Sequence, residues 1–577
     1  MPRLKVFNII VFSSFLLLTL GLGYTQLLKG PFYYKLSEKN RIRLVPIPAP
    51  RGIIYERNGK ILVDNRISFD CFVIPEEVVN KDKTLRCLSQ ILGVSKEDLH
   101  QDFKERYLAP FAPLTLVKDI PKDKAFILEE LKLELPGIEV RARPFRHYVY
   151  GEAASHILGY LGEIDEPTLA KWKDYGYKAK DLVGRFGIEK FFDDYLRGKD
   201  GGIQIEVDNL GRFNAILGYK EPQKGNDLQL TIDIRIQKIL DNLLSQTNRR
   251  GAIIVMDPCT GEILALSSFP RFNPNIFIKP KITKSVLNSL LRDPRSPMLN
   301  RAISGQYLPG SIFKILVAVA GLEDKKIKDD SVLFCGGSLR IGEREFHCWK
   351  KDGHGQEDIR SALTHSCNIF FYQLGLKLGV NKLYEYANRF GLGELTKLEL
   401  PGEAKGFMPS KTWKMLTQGE RWYEGETANL SIGQGYILVS PIQAVRMISI
   451  IANGGKLVQP HLVNPVRNTN LNRKNKISNG VKSSDLSTPK KLSISDQTIS
   501  IVKRGLTQAV EDESGTGHAS WIPDLTVAAK TGTAQTELGK SYGWFVGFCP
   551  VKNPKVAFAI LLEEGGSGEL ASRLARM

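Results

Sequence analysis

No organised nucleic-acid-binding motif is present in this 577-residue chain, although its formal net charge is +18. The 80 lysines and arginines are scattered among 62 acidic residues, and no zinc finger, aromatic RNA-binding box or basic helix gathers them. We therefore expect no nucleic-acid partner and interpret the excess charge as a basic, solvated surface. The length and the 42% content of hydrophobic residues suffice for at least two globular domains.

A second apolar segment long enough to cross a membrane is also lacking. The first, Val6–Leu28, has 23 residues without a charge, and a hydrocarbon core of about 30 Å requires about 20. Arg3 and Lys5 precede it, which predicts a cytoplasmic N-terminus and an exported remainder. A cleaved signal peptide is the alternative, but the run is long for one and no A-x-A site closes it. We predict a single-pass inner-membrane anchor within residues 1–29 and a periplasmic catalytic domain.

Residues 30–224 show extended and helical patterns without a cluster of catalytic side chains. The prolines in RLVPIPAPRGIIYERNGKILVDN (Arg43–Asn65) favour extended backbone, and the NG pair within it predicts a hairpin turn. Helical patterns follow at Lys81–Leu92 and Lys122–Leu133. We interpret this part as an elongated pedestal, a domain for interaction.

A change of pattern near residue 225 marks a second domain, residues 225–577. LQLTIDIRIQKILDNLL (Leu228–Leu244) passes from strand to helix, and GAIIVMDPCTGEILALSS (Gly251–Ser268) is typical of a hairpin. Helical patterns fill the middle, and three strand patterns follow: LTVAAKTGTAQT, SYGWFVGFCPV and KVAFAILLEEG. Strands at both ends of a helical insert predict an α+β domain whose sheet is assembled from distant segments. The polar segment Arg467–Lys491 is expected to be a mobile surface loop.

The stretch YLPGSIFKIL places Ser311 and Lys314 at the start of an apolar segment. Because that segment is apolar on all sides, it predicts a buried helix with Ser311 as its N-cap or in its first turn. Positions i and i+3 share a helix face, so the amine can reach the hydroxyl. Burial lowers the pKa of a lysine, which makes Lys314 a general base for a serine nucleophile, and the helix N-terminus offers N–H groups to an oxyanion. A capping serine followed by a snorkelling lysine is the alternative. Ser487–Lys490 has the same S-x-x-K spacing, which shows that this spacing readily arises by chance.

Two further polar elements strengthen this hypothesis. Ser366-Cys367-Asn368 precedes an amphipathic pattern and offers a hydroxyl for proton relay and an amide for the substrate, although a helix cap is the simpler interpretation. Lys530-Thr531-Gly532-Thr533 lies on a strand pattern and offers positive charge and hydroxyls to a carboxylate. Gly532 is expected to let a substrate lie against the strand backbone. Each element alone is weak, but all three in this order are a strong signal.

Three cysteines and one histidine between and within these elements follow the pattern C-x12-C-x5-H-x12-C; they are Cys335, Cys348, His354 and Cys367. Three thiols and an imidazole form a complete tetrahedral set for one structural zinc ion. Because Cys367 is the middle residue of the SCN element, a metal there would hold the site loop. A Cys335–Cys348 disulfide, natural in an oxidising periplasm, and free buried cysteines are the alternatives. His347 and His365 are spare candidates, each interpreted as a surface residue.

S-x-x-K, S-x-N and K-T-G together are the signature of penicillin-binding proteins and related β-lactamases. With RGIIYERNG, GRFGIEKFFDDYLRG and SIGQGYILVSPIQ, they make almost the whole chain resemble the class B penicillin-binding proteins of the elongation type. The resemblance implies a membrane-anchored pedestal and a transpeptidase domain in which an antiparallel sheet is flanked by helices. It also implies a D,D-transpeptidase that cross-links peptidoglycan stem peptides ending in D-Ala-D-Ala.

The resemblance further implies a role for each motif residue. Ser311 would form the acyl-enzyme after Lys314 takes its proton, and Ser366 would pass a proton to the leaving amine with Lys530 close by. Asn368 would bind the substrate amide. The hydroxyls of Thr531 and Thr533 would hold the carboxylate, and the backbone N–H groups of Ser311 and Thr533 would form the oxyanion hole. Which lysine is the base in acylation stays open.

Partners follow from the same resemblance. β-Lactams would acylate Ser311 as imitations of D-Ala-D-Ala, and a SEDS-type glycan polymerase with elongation-complex membrane proteins would supply the glycan strands. Some elongation-type relatives carry a metal site in the same insert. A division transpeptidase, which shares the three motifs, stays open as an alternative, as do a β-lactamase, a β-lactam sensor and a non-enzymatic scaffold. The chain ends soon after Gly568-Glu569-Leu570, which leaves the packing beside the KTGT strand open.

Overall fold

The computed structural model describes residues 2–107, 110, 113–172, 177–178, 181–208, 213–278, 284–463, 489–535, 539 and 541–577. The helices in this part of the chain are α1 (Pro2–Gly23), α2 (Gly30–Arg41), α3 (Lys81–Leu92), α4 (Lys96–Arg106), α5 (Lys122–Glu130), α6 (Ser155–Leu158), α7 (Glu166–Lys171), α8 (Gly187–Phe191), α9 (Asp193–Leu196), α10 (Ile234–Gln246), α11 (Asn275–Ile278), α12 (Lys284–Leu291), α13 (Lys314–Glu323), α14 (Ile359–Thr364), α15 (Asn368–Arg389), α16 (Lys411–Gln418), α17 (Glu424–Ser431), α18 (Pro441–Ala452), α19 (Asp496–Glu511) and α20 (Gly568–Arg576).

The strands are β1 (Ile42–Ile47), β2 (Ile54–Tyr55), β3 (Ile61–Val73), β4 (Leu114–Ile120), β5 (Ile138–Tyr148), β6 (Leu161–Glu163), β7 (Leu182–Gly184), β8 (Gly201–Val207), β9 (Phe213–Lys220), β10 (Leu228–Gln229), β11 (Gly251–Met256), β12 (Ile263–Phe269), β13 (Leu333–Cys335), β14 (Ser338–Ile341), β15 (Arg344–His347), β16 (Gly355–Glu357), β17 (Lys456–Leu457), β18 (Lys490–Lys491), β19 (Ala528–Gln535), β20 (Ser541–Cys549) and β21 (Val556–Leu562).

Internal contacts divide the chain into two compact units. The first comprises Met1–Gly52, Asn65–His147 and Arg197–Asn226, and the second comprises Ile53–Asp64, Tyr148–Leu196 and Asp227–Met577. Two pieces that the sequence assigned to the pedestal therefore group with the catalytic residues. The reason is local contact within the second unit: the Arg57 guanidinium pairs with Glu262 at 3.3 Å, and the Tyr160 ring stacks on Phe277 at 3.9 Å.

The N-terminal helix has apolar side chains exposed on every side. Leu4–Leu28, which comprises most of α1 and the π-helical turn Tyr24–Leu28, has a mean hydropathy of 2.1, and none of its apolar window is buried. By length and composition this is the segment that can cross a membrane, in agreement with the prediction from Val6–Leu28.

The rest of the first unit contains an antiparallel sheet in the order β1-β8-β9 and a small α/β core. The predicted helices are present as α3 and as α5, the latter extended by a 3-10 turn at Leu131–Leu133. Asn80 caps α3 by accepting a hydrogen bond from Lys83 N at 3.0 Å. The core against which these helices pack includes Cys71, Leu88, Leu99, Leu116, Ile120 and Leu128.

The second unit contains the catalytic sheet, in the order β12-β11-β21-β20-β19 with every neighbour antiparallel. Its first two strands precede the helical insert and its last three follow it, which confirms the predicted assembly from both ends of the domain. One face packs on α10 and α20 through Leu244, Ile253, Phe545, Leu562 and Ala571. Buried α18 packs against β11, β20 and β21. The α+β architecture is therefore confirmed.

The polar segment Arg467–Lys491, predicted to be a loop, lies outside the described residues as far as residue 488. Its last two residues form β18, which pairs with β17. The second S-x-x-K copy, Ser487–Lys490, lies partly outside them as well. The hairpin prediction for Gly251–Ser268 is confirmed, since Asp257 Oδ1 closes the turn by accepting from Cys259 N at 2.8 Å.

Candidate active site

Ser311 lies in a 3-10 turn, Gly310–Phe313, that leads directly into α13. The turn requires glycine at position 310, because φ is +56° there and a Cβ atom would lie 2.6 Å from the carbonyl oxygen of Thr533. α13 is buried from Lys314 to Gly321. The predicted core helix is therefore present, with Ser311 in its leading turn, while Pro309 occupies the N-cap of that turn.

The Lys314 amine has no exposed surface and is held by the SCN element. Its Nζ donates to Ser366 O at 2.8 Å, to Ser366 Oγ at 3.2 Å and to Asn368 Oδ1 at 2.7 Å. The i, i+3 spacing had suggested a contact between this amine and the Ser311 hydroxyl. Among the hydrogen bonds of the described residues, none joins the two groups directly. Burial lowers the pKa of Lys314 to about 7, against the opposing influence of the Cys367 and Cys348 thiols. A large fraction of the amine is therefore neutral near neutral pH.

The SCN element forms the tight connection between α14 and α15. Ser366 has φ +55°, a left-handed conformation that costs a residue other than glycine about 1–3 kcal/mol. Cys367 caps α15, its Sγ accepting from Phe370 N at 3.5 Å. Asn368 begins the helix, and its Nδ2 donates to the carbonyl oxygen of His347 at 3.4 Å. The helix-cap interpretation is therefore correct for Cys367, while Ser366 and Asn368 contact the lysine.

Lys530 lies on β19 and is completely buried, with its Nζ donating to the carbonyl oxygen of Thr531 at 3.1 Å. Burial lowers the pKa of Lys530 well below the ordinary value for lysine, and the charge of Lys314 lowers it further. The two amines repel each other when both are protonated, which favours at least one neutral lysine in the site.

Gly532 is required by packing within the protein. A Cβ atom on this residue would lie 3.0 Å from Ile312 Cγ2, 3.0 Å from Trp544 Cβ and 3.1 Å from the carbonyl oxygen of Pro309. These atoms belong to the Ser311 turn and to the neighbouring strand β20. The absent side chain therefore lets the serine turn approach the KTGT strand, and the expectation that it also lets a substrate lie against the strand backbone stays a prediction.

The motif side chains meet in one cleft of about 1290 Å³. The predicted residues that line it are Ser311, Ser366, Asn368, Thr531 and Thr533. Lys314 and Lys530 lie behind its wall, buried and within reach of each other's charge. In the described part of the sheet β19 pairs with β20 alone, so its other edge is open to an extended peptide.

Several cleft residues were missed by sequence reasoning; they are Asn429, Gln434, Thr516, His518 and Glu569. The first two lie in or beside SIGQGY, which entered the sequence argument only as part of a resemblance. Its first glycine is fixed by packing, since a Cβ atom on Gly433 would lie 2.1 Å from the carbonyl oxygen of Gly310. The GTG run around Thr516 was a turn signal that could have pointed to a loop at the site.

The last helix, α20, packs beside the KTGT strand, which the sequence had left open. Gly568 N donates to Thr533 Oγ1 at 3.2 Å, and a Cβ atom on Gly568 would lie 3.0 Å from the carbonyl oxygen of Gly532. Because Thr533 Oγ1 accepts this bond, its own proton stays available for a ligand.

The four predicted metal-ligating residues meet beside the SCN element. Cys335 ends β13, Cys348 follows β15, His354 precedes β16 and Cys367 caps α15. Their ligand atoms all lie within 4.8 Å of one another, and the three cysteines are buried free thiols. Of the spare candidates, His347 is exposed, as predicted. His365 is half-buried, hydrogen-bonded to Glu357 Oε1 at 2.8 Å, and outside the cluster.

Two distances within this cluster match those of a tetrahedral zinc site. His354 Nδ1 lies 3.6 Å from Cys335 Sγ and 3.5 Å from Cys348 Sγ. Zinc bonds of about 2.3 Å to sulfur and about 2.0 Å to nitrogen place neighbouring ligand atoms about 3.5 Å apart. A hydrogen bond from the Cys367 thiol lowers the pKa of Cys348, so one sulfur of the pair is readily deprotonated.

A serine at the head of a buried helix, two buried lysines and an open-edged KTGT strand define a penicillin-binding serine acyltransferase. The family of the penicillin binding protein transpeptidase domain matches residues 251–576, and that of the penicillin-binding protein dimerisation domain matches residues 46–230. The peptidoglycan D,D-transpeptidase MrdA of Acinetobacter baumannii is 33% identical over 588 residues, covering 98% of this chain and 85% of the relative. The chain therefore belongs to the penicillin-binding proteins, in the penicillin-binding protein 2 (MrdA) family.

Solved structures agree with this assignment. Penicillin-binding protein 2 of Helicobacter pylori, in complex with MreC, superposes with a TM-score of 0.80 at 30% identity, covering 92% of this chain and 97% of that chain. A structure that describes coordination of polymerization and crosslinking by a peptidoglycan synthase complex superposes with a TM-score of 0.73 at 28% identity, covering 100% of this chain and 97% of that chain.

The burial of Lys314 predicts how acylation depends on pH. If the neutral amine takes the Ser311 proton, the second-order rate constant for acylation by benzylpenicillin should rise with pH and reach half its maximum near pH 7. The measurement is the acylation rate across a pH series, followed by intact-protein mass spectrometry.

Lys503→Met is the matched control, because burial also lowers the pKa of Lys503 but this lysine lies outside the cleft. The control should keep the midpoint. A flat profile, or a midpoint near the ordinary lysine value of 10.5, would contradict a lysine base with a lowered pKa.

Proposed function

We propose that this D,D-transpeptidase cross-links peptidoglycan during cell elongation and rod-shape maintenance, through an acyl-enzyme on Ser311. The observation that carries the assignment of roles is the contact of the buried Lys314 amine with Ser366 and Asn368, in the cleft that Ser311 lines. This arrangement supplies a nucleophile, a base whose pKa is lowered and a hydroxyl that can carry a proton onward.

In the acylation step, Ser311 Oγ attacks the carbonyl carbon of the penultimate D-Ala while Lys314 accepts the hydroxyl proton. The backbone N–H groups of Ser311 and Thr533 stabilise the oxyanion. The peptide C–N bond then breaks, and the leaving amine of the terminal D-Ala receives a proton. Because Lys314 Nζ donates to Ser366 Oγ at 3.2 Å, that proton can pass from the ammonium through the Ser366 hydroxyl.

In the second step, the amine of a neighbouring stem peptide attacks the ester carbonyl. The new C–N bond forms the cross-link, the ester C–O bond breaks, and the amine proton returns to Ser311 through the same groups. Asn368 aligns the donor backbone, and Thr531 and Thr533 hold its terminal carboxylate in the first step. β-Lactams are attacked at Ser311 in the same way, as mimics of D-Ala-D-Ala.

The elongation role is supported by the MrdA relatives and by the solved penicillin-binding protein 2 structures, of which one is a complex with MreC. A second neighbour is a peptidoglycan synthase complex that combines polymerization and crosslinking. We assign a SEDS-type glycan polymerase and elongation-complex membrane proteins as partners of this chain. α1 would anchor it in the inner membrane with the N-terminus in the cytoplasm and the catalytic domain in the periplasm, because Arg3 and Lys5 lie at its start.

We assign one structural zinc ion to Cys335, Cys348, His354 and Cys367, because their ligand atoms lie within 4.8 Å of one another and three thiols with one imidazole form a common zinc ligand set. A bound zinc ion would contribute folding energy and no chemistry to the acyl transfer. Cys367 lies between the two residues that hold the Lys314 amine. Fixing its sulfur would therefore keep Ser366 in its left-handed conformation and Asn368 in contact with the lysine.

Labelled benzylpenicillin tests the enzymatic role on the full, detergent-solubilised chain. The wild type should form one stable adduct, and Ser311→Ala should form none, since the hydroxyl that forms the acyl-enzyme is lost. Ser487→Ala, which removes the serine of another S-x-x-K copy, should acylate like the wild type. Absence of the wild-type adduct, or its persistence in Ser311→Ala, would defeat the role, and rapid hydrolysis of the adduct would indicate a β-lactamase.

Depletion of the protein in the source bacterium separates elongation from division. Loss of side-wall cross-linking should convert rods into round cells, visible by phase-contrast microscopy, and expression of the wild type but not of Ser311→Ala should restore the rod. Filamentous cells would assign the protein to division.

Elemental analysis of protein purified without a chelator tests the metal assignment. The wild type should contain about one zinc per chain, and Cys335→Ser should contain much less zinc, because one of the four ligands is lost. Cys259→Ser is the control, since Cys259 is an exposed thiol outside the cluster, and should keep its zinc. A zinc content well below one equivalent in the wild type would contradict the metal assignment.

A further inference from the structure

A chain of hydroxyl groups connects the KTGT strand with the helix before the SCN element. Thr531 Oγ1 donates to Thr516 Oγ1 at 2.9 Å, and Thr516 Oγ1 donates to the carbonyl oxygen of Thr364 at 3.4 Å. Thr364 is buried and ends α14, two residues before Ser366. Thr516 therefore bridges the KTGT strand and the helix before the SCN element from a loop that neither of them contains.

The backbone and the side chain of Thr516 are held unequally. Its N–H donates to the carbonyl oxygen of Thr364 at 3.2 Å, whereas the hydroxyl reaches the same oxygen only at 3.4 Å. The backbone bond anchors the residue. Because the longer hydroxyl bond is weak, that proton can turn to a better acceptor at small cost.

The cleft needs such a donor. A donor stem peptide, like a penicillin, carries a carboxylate into the site, but none of the cleft-lining residues in the described part of the chain is Lys or Arg. Both lysines of the site are buried behind the wall. The carboxylate must therefore be bound mainly by hydroxyl and N–H donors, and as the hydroxyl chain stands, the Thr531 proton points to Thr516 and away from the ligand.

We propose that Thr516, which itself lines the cleft, is a carboxylate-binding residue that acts with Thr531 by reversal of this hydroxyl chain. When a carboxylate enters, the Thr531 proton turns to it, and the Thr516 proton leaves the Thr364 carbonyl for the Thr531 oxygen or the carboxylate itself. Both hydroxyl protons then keep an acceptor, since Thr531 donates to the carboxylate and Thr516 donates to the Thr531 oxygen or to the carboxylate. This inference rests on the proposed transpeptidase function and extends it to a residue outside the three motifs.

Acylation by benzylpenicillin and by its methyl ester separates binding of the carboxylate from general support of the fold. Thr516→Val preserves shape and the backbone N–H bond but removes the hydroxyl. The variant should acylate with the free acid about ten- to a hundredfold more slowly than wild type, while its rate with the ester stays within about twofold. Thr516→Ser, which keeps the hydroxyl, should stay close to wild type with both compounds. The readout is the second-order acylation rate of the full chain by mass spectrometry.

Thr507→Val is the matched control, because the Thr507 hydroxyl donates to Lys503 O within α19, away from the cleft. It should leave both rates unchanged. An equal loss with acid and ester in Thr516→Val, or no loss with either, would overturn the inference. Failure of the wild type to form a Ser311 adduct with the free acid is a different result, which would remove the proposed function itself.

Discussion

A lysine amine without exposed surface must either lose its proton or find several acceptors, and Lys314 meets this constraint through the SCN element. Three acceptor atoms, two from Ser366 and one from Asn368, surround its Nζ. They can do so only because Ser366 takes a left-handed conformation and Cys367 caps the next helix. The local strain at Ser366 is thus compensated by its contacts with the Lys314 amine, while burial of the amine lowers its pKa.

Residues of the insert between the first two motifs also help to position the groups around the Lys314 amine. The carbonyl oxygen of His347 accepts from Asn368 Nδ2, and the cysteine cluster surrounds the sulfur of Cys367. Asn368 is thereby fixed at both ends of its amide, one by the catalytic lysine and one by the insert. An insert that seems remote from the nucleophile in sequence is therefore part of the structure that positions it.

On the opposite wall of the cleft, segments of backbone pack directly against one another. Gly310, Gly433 and Gly532 each stand where a Cβ atom would strike a neighbouring segment. The serine turn, the SIGQG loop and the KTGT strand can approach each other only because these three residues have no side chain. For Gly532 the sequence predicted close approach of a ligand, and the structure adds close approach of the serine turn, because a strand glycine indicates close approach without saying which group approaches.

Local patterns were sufficient for much of the fold. α3, the 251–268 hairpin, the three C-terminal strands and the buried helix behind Ser311 were predictable, because apolar periodicity and turn residues act within a few positions of one another. Contacts between residues that are far apart in the sequence were harder to predict. No local pattern indicated that Ile53–Asp64 and Tyr148–Leu196 belong with the catalytic unit, since the ring and charge contacts that hold them involve residues more than a hundred positions away.

The amino-acid sequence alone determined which groups carry the chemistry, because a nucleophilic serine, buried amines, thiols and hydroxyls are properties of residue type and local spacing. Tertiary structure alone decided which of these groups meet. Lys314 hydrogen-bonds to Ser366 and Asn368, more than fifty residues away, and not to Ser311, three residues away. Thr516 joins two motifs without belonging to either. The physical reason is that hydrogen bonds depend on distances of a few tenths of an ångström, which are set by the packing of the whole domain.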